Sequence, residues 1–229
     1  MKAFLSSMAA ILILGLWGSA VADVVALPGN ARLNIKVKSM AELRFKNVVR
    51  QNFDLSCGAA ALATLLQYYY DTPVTEKQII DDILEITPEE DRKKIAKSGF
   101  SMLELKRIGE RYGFIAGGFQ VPDMEKLLQL KVPALTLVNT RGYNHFVVIK
   151  GFSERQVFIA DPAFGNRAKR LASFADEWNN IVLVFLHPQR KGDSKFSFEG
   201  AFTGRAGETI PLLDRGLRTL MLTPQAGEY

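Results

Sequence analysis

The stretch Gln51–Leu66, QNFDLSCGAAALATLL, contains Cys57, the one cysteine of the 229-residue chain, with Gln51 six residues before it and Gly58 directly after. A lone cysteine forms no internal disulfide and is too few for a thiolate metal site, which leaves a buried small hydrophobe or a reactive thiol. The run from Ala59 to Leu66 is apolar and alanine-rich and predicts a buried helix, so the sulfur stands at or near a helix N-terminus. There the unpaired N–H groups and the positive end of the helix dipole stabilise a thiolate.

Residues 1–22, MKAFLSSMAAILILGLWGSAVA, have the three parts of a secretory signal peptide: basic Lys2, an apolar stretch from Met8 to Trp17, and Ala20-Val21-Ala22 as a small-x-small cleavage site before Asp23. A run of about ten apolar residues is too short for a bilayer core of about 30 Å. The expectation is therefore a cleaved, exported, periplasmic chain. A single thiol in an oxidising compartment needs a chemical reason to persist. Residues 23–47 read as an extended lead-in, with alternation in ARLNIKVKSM suggesting a strand. The net charge of +5 comes from Lys and Arg scattered without a basic stripe or interleaved aromatics, which argues against nucleic acid as a partner.

Residues 48–188 carry the main pattern. The Cys57 helix is expected to run to about Tyr70 and stop before Pro73. Thr75-Glu76-Lys77-Gln78 is a capping box, and Ile79, Ile80, Ile83 and Leu84 keep helical spacing after it. Pro88–Lys97 is a charged, solvated helix or turn. A second capping box at Ser101–Glu104 opens a helix ending at Gly113. Beyond Gly113 the periodicity becomes that of strands: FIAGGFQV, VPALTLVN, YNHFVVIKGF and QVFIADPAFG, with a short helix from Asp123 to Leu130 and a hairpin turn over Asn139–Tyr143. Another short helix around Phe174–Trp178 precedes a last strand, IVLVFL. Helices first and an antiparallel sheet afterwards predict an α+β fold. Residues 189–229 are Gly-rich with two apolar patches, and read equally as a packed arm, a small second element or a tail.

Two histidines make the search for a base short. His187 precedes a proline at the end of the last strand, where a structural role is expected. His145 lies just after the hairpin turn, and the following strand ends on Asp161. Adjacent antiparallel strands bring such side chains together, and a carboxylate on an imidazole fixes its tautomer and stabilises the imidazolium. Asp161-Pro162 is also an ordinary turn initiator. Cys57, His145 and Asp161 thus supply nucleophile, base and orienter, and Gln51 adds an amide donor which, with the backbone N–H of Cys57, suits an oxyanion.

Gln51, Cys57-Gly58, NHFVVIKGF around His145 and Asp161-Pro162 resemble the pattern of the bacteriocin-processing double-glycine peptidases, cysteine peptidase family 39 of the papain-like clan. The resemblance spans Val48 to Leu186, including the Trp178 segment. It implies a papain-like fold, with a helical half bearing the cysteine and an antiparallel sheet half bearing the histidine and aspartate. Its implied roles are Cys57 nucleophile, His145 base, Asp161 orienter and Gln51 oxyanion donor. The usual substrate is a leader peptide cut after Gly-Gly. Two departures stand out: a signal peptide in place of a transporter, and Ser56 where exporter-linked members often carry aspartate. A free-standing, exported member resembles the peptidases encoded with functional-amyloid (Fap) export systems of pseudomonads.

The implied function is a periplasmic cysteine endopeptidase acting on an exported polypeptide at a Gly-Gly-like or small-residue site, alongside an outer-membrane export machine. A peptidoglycan amide hydrolase and a non-catalytic, substrate-binding module are the competing readings. No cofactor is expected, and two histidines with one cysteine give no metal-ligand spacing.

Overall fold

The computed structural model describes residues 24–26, 32–34, 39–140, 142–193 and 196. The expected signal peptide over 1–22 lies outside these residues, as does most of the segment over 189–229. Residues 1–39 form a unit of their own, in which β1 (Val24–Ala26) pairs antiparallel with β2 (Arg32–Asn34).

The second unit begins with α1 (Met40–Arg44), inside the segment predicted to be an extended lead-in. That expectation is corrected here. MAELR is built of good helix formers, with Glu42 in the first turn and Arg44 in the last, each matching the helix dipole. The helical half follows with α2 (Cys57–Tyr69), α3 (Glu76–Ile86), α4 (Glu89–Ser98) and α5 (Met102–Arg111). Both capping boxes are present. Thr75 Oγ1 accepts from the Gln78 N–H while Gln78 Oε1 accepts from the Thr75 N–H, and Ser101 and Glu104 do the same for α5.

The sheet half contains β3 (Ile115–Gln120), α6 (Met124–Leu127), β4 (Ala134–Thr140), β5 (Tyr143–Phe152), β6 (Gln156–Asp161), β7 (Gly165–Arg170), α7 (Leu171–Glu177) and β8 (Trp178–Leu186). Six strands pair antiparallel in the order β3-β8-β4-β5-β6-β7. Strand β7, GNRAKR, has no apolar alternation, and backbone pairing with β6 from Asp161↔Gly165 to Gln156↔Arg170 makes it an edge strand. Its partly exposed polar side chains explain why the pattern does not announce it.

The central strands are apolar on both faces because both are covered. Phe146 and Val148 of β5, with Leu135, Ala160, Leu183 and Phe185, join the core formed by α2, α3 and α5. Val147 and Ile149 join the second core with Phe174, Trp178 and Leu127. Helix α2 has ten consecutive buried residues from Cys57 to Leu66 and lies on β5 as the central element of the helical half. Gly58 permits this approach: a Cβ there would sit 3.1 Å from both Leu105 Cδ1 and Phe146 Cδ2. The beginning of the C-terminal segment returns to the far end of α2. Asp193 N–H donates to the Tyr69 carbonyl at 2.7 Å, and the Phe196 ring is buried 5.9 Å from that of Tyr69.

Candidate active site

Cys57 is the first residue of α2, at the helix N-terminus predicted for it, and is 5% exposed. Ser56 precedes it as N-cap but makes no side-chain cap; its hydroxyl is engaged elsewhere, 2.6 Å from the Phe53 carbonyl and 2.5 Å from Glu76 Oε1.

His145 is held between two partners. Its Nε2 lies 2.7 Å from Asp161 Oδ1, and the Cys57 thiol is near enough to favour the charged ring. Burial alone would favour the neutral ring. The bonds and charges of Asp161 and Cys57 outweigh burial and push the imidazole up to about 9. Tyr143 and Phe164 flank the ring at 6.2 and 6.4 Å between centroids.

Asp161 is fully buried and is both turn residue and His145 partner. Its Oδ1 accepts the N–H groups of Ala163 and Phe164 at 2.9 and 3.1 Å in addition to the His145 contact. Burial would raise its carboxyl, but His145, Arg167 and the Ala163 N–H together hold it below the usual carboxylate range. Arg167 Nη2 lies 2.9 Å from Asp161 Oδ2, an ion pair whose alignment falls short of a hydrogen bond; the charge, not a directed bond, serves this oxygen. The Arg167 guanidinium also lies over the Phe164 ring at 5.0 Å, which fixes it beside the site. Nothing in its sequence context singles out Arg167, which becomes Asp161's neighbour only through the β6–β7 pairing.

Gln51 is anchored from two sides. Its N–H donates to the Pro162 carbonyl at 3.0 Å, beside Asp161, and the preceding Val49 N–H donates to Thr64 Oγ1 of α2 at 2.9 Å. The Gln51 Oε1 is buried, and nothing among the described residues holds it by a hydrogen bond.

His187 is elsewhere. Its Nδ1 accepts the N–H groups of Gln189 and Arg190, both at 3.1 Å, and its ring packs edge-on against Phe114 at 5.0 Å. Both contacts are structural.

A cavity of about 390 Å³ opens beside Cys57, walled by Leu55, Phe100, Met102, Leu137, Tyr143 and Phe146. Its walls are mainly apolar, with Lys97, Ser98, Ser101 and Asn144 adding polar groups. A second cavity of about 300 Å³, between α3 and α4 on the other side of Leu55, does not include Cys57.

The Peptidase C39 family matches residues 45–190, and the chain belongs to this family. It is 40% identical over 161 residues to the probable functional amyloid protease FapD of Pseudomonas aeruginosa, covering 70% of each chain. It is 41% identical over 171 residues to the corresponding protein of Pseudomonas fluorescens, covering 74% of this chain and 73% of that one. Among solved structures, the peptidase domain of the streptococcal bifunctional ABC transporter ComA superposes with a TM-score of 0.51 at 20% identity, covering 61% of this chain and 97% of that domain. The fold is thus the papain-like arrangement of C39 peptidase domains, helical half and antiparallel sheet together, as the sequence implied. The chain is a cysteine peptidase by family.

Proposed function

We propose that the chain is a periplasmic cysteine endopeptidase that cleaves an exported polypeptide after a Gly-Gly-like or small-residue pair, in support of secretion. The observation that carries the reading is the 2.7 Å contact of His145 with buried Asp161, together with Cys57 at the N-terminus of α2 near the same imidazole. In this reading the thiolate of Cys57 attacks the scissile carbonyl, forming a C–S bond and an oxyanion. The Gln51 side-chain N–H and the Cys57 backbone N–H stabilise that oxyanion. The imidazolium of His145 gives its proton to the leaving amine as the C–N bond breaks, leaving a thioester. Neutral His145 then takes a proton from water, whose oxygen displaces the sulfur and releases the acid. Asp161 keeps the ring oriented throughout.

Likeness to the probable functional amyloid proteases supports a subunit of an exported amyloid system as substrate and an outer-membrane export machine as partner. The Lys2, Met8–Trp17 and Ala20-Val21-Ala22 pattern supports export with cleavage before Asp23. Incubating the purified chain with exported amyloid subunits and mapping the fragments by mass spectrometry tests the activity. Cuts after Gly-Gly or small-residue pairs, absent with Cys57→Ala, are expected; unchanged cutting by that variant would remove the assignment. Fractionation of expressing cells with N-terminal sequencing tests the location, Asp23 being the expected first residue.

A further inference from the structure

Glu76 belongs to the capping box of α3, where an acid in the first turn is ordinarily a solvated complement to the helix dipole. Here it is 2% exposed. A carboxylate so buried is tolerated only when donors surround it. Among the described residues, the donors to Glu76 come from one short loop. The Asn52 N–H lies 3.1 Å from each carboxylate oxygen, Asn52 Nδ2 is 2.9 Å from Oε2, and the Ser56 hydroxyl is 2.5 Å from Oε1. Asn52 follows Gln51 and Ser56 precedes Cys57.

The loop is not one that local preference would hold. Leu55 sits at φ 61°, in the left-handed region that is unfavourable for a branched side chain. Its carbonyl oxygen is crowded against Gly99, itself at φ 76°, where a Cβ would come within 2.8 Å. A conformation of this kind persists only when its surroundings over-determine it.

We propose that Glu76 is a positioning residue, whose buried carboxylate clamps Asn52 and Ser56 and so fixes the separation of the two oxyanion donors, the Gln51 side chain and the Cys57 N–H. The proposal rests on the reading of Cys57 as nucleophile and Gln51 as donor. Glu76 touches no reacting atom; it acts through the loop. His145 and Asp161, carried by β5 and β6, do not depend on it, so the reactivity of the thiol and the stabilisation of the oxyanion become separable.

The test compares turnover of a fluorogenic Gly-Gly peptide amide with alkylation of Cys57 by iodoacetamide, which forms no oxyanion. Glu76→Ala is expected to lower kcat about 100-fold, the order of loss for donors displaced by an ångström, with KM and the alkylation rate within about threefold of the parent. In Glu76→Gln, Oε1 still accepts from Asn52, and the amide N–H₂ donates to the Ser56 oxygen while its hydroxyl turns to Phe53; kcat within about threefold is expected. Ser56→Asp sets a second carboxylate against Glu76 and is expected to lower kcat about 100-fold, and Ser56→Asp with Glu76→Gln to regain at least about tenfold of it. Unchanged kcat in Glu76→Ala overturns the proposal, as does equal loss of turnover and alkylation. Should Glu76→Ala fail to fold, absence of recovery in the double variant overturns it. Cys57→Ala distinguishes the underlying reading: turnover that survives in that variant defeats the nucleophile assignment itself.

Discussion

His145 Nε2 and Asp161 Oδ1 stand 2.7 Å apart, and the same oxygen closes the turn after β6 by accepting from Ala163 and Phe164. One atom therefore shapes the corner of the sheet and holds the imidazole. Asp161→Asn consequently disturbs chemistry and turn to different degrees, because an amide oxygen can still accept the two backbone N–H groups but brings no charge.

The pH profile follows from this pair. With the imidazole pushed up to about 9, kcat/KM should fall along an alkaline limb near that pH as the imidazolium is lost. The Asp161→Asn variant removes a negative charge that raises it, so its limb should move to lower pH and its turnover drop. An unmoved limb would show that Asp161 is not what keeps His145 charged. Folding follows the same sign: the raised imidazole adds stability that is complete below its ordinary 6.5 and lost as pH rises through about 9.

Gln51→Ala should lower kcat about 100-fold or more, roughly 3 kcal/mol of transition-state stabilisation, with little change in alkylation of Cys57. Parallel loss of both rates would mark Gln51 instead as a support of the segment tied to Pro162 and Thr64.

The two histidines give a direct contrast. His145→Ala should abolish turnover and slow iodoacetamide alkylation of Cys57 near neutral pH, whereas His187→Ala should leave both close to the parent and lower only Tm, through the turn at Gln189 and Arg190. A large loss of turnover in the His187 variant would overturn the choice of base.

Lys150 of β5 is 4% exposed, 3.2 Å from Asn166 Oδ1 and 4.5 Å over the Phe196 ring. Burial, with a smaller contribution from Lys46, pushes its amine down to about 8 from 10.5. Between those pH values the unfolded chain holds a proton that the folded one has released, so stability rises with pH there. Lys150→Met should raise stability at pH 7 by roughly 1–3 kcal/mol, an advantage that shrinks toward pH 10.5. Denaturant unfolding at several pH values measures it; a variant less stable at pH 7 would mean that the Asn166 and Phe196 contacts outweigh the burial of the charge.

The α+β order and the helix starts were legible because they rest on local chemistry: Thr75 and Ser101 each cap a helix three residues before a Gln or Glu, and Cys57 opens an unbroken apolar run. Cys57, His145 and Asp161 were legible for another reason, since a chain with one cysteine and two histidines offers few combinations. Glu76 and Arg167 were not. Each resembles the charged surface residues around it until strand pairing or loop closure gives it a buried partner twenty or more residues away, or on the neighbouring strand. Strand β7 was hidden for a similar reason, its pairing being carried by the backbone rather than by side-chain alternation.

Helix α2 lies against β5, with Gly58 letting Phe146 come close, so Cys57 and His145 are brought together from different halves of the fold. His145 and Asp161 meet as soon as one hairpin of the sheet forms, a short loop closure. Cys57 is separated from them by a far longer stretch of chain, so its approach closes the larger loop. A chain in which the sheet half alone has formed thus holds His145 and Asp161 together without the sulfur beside them.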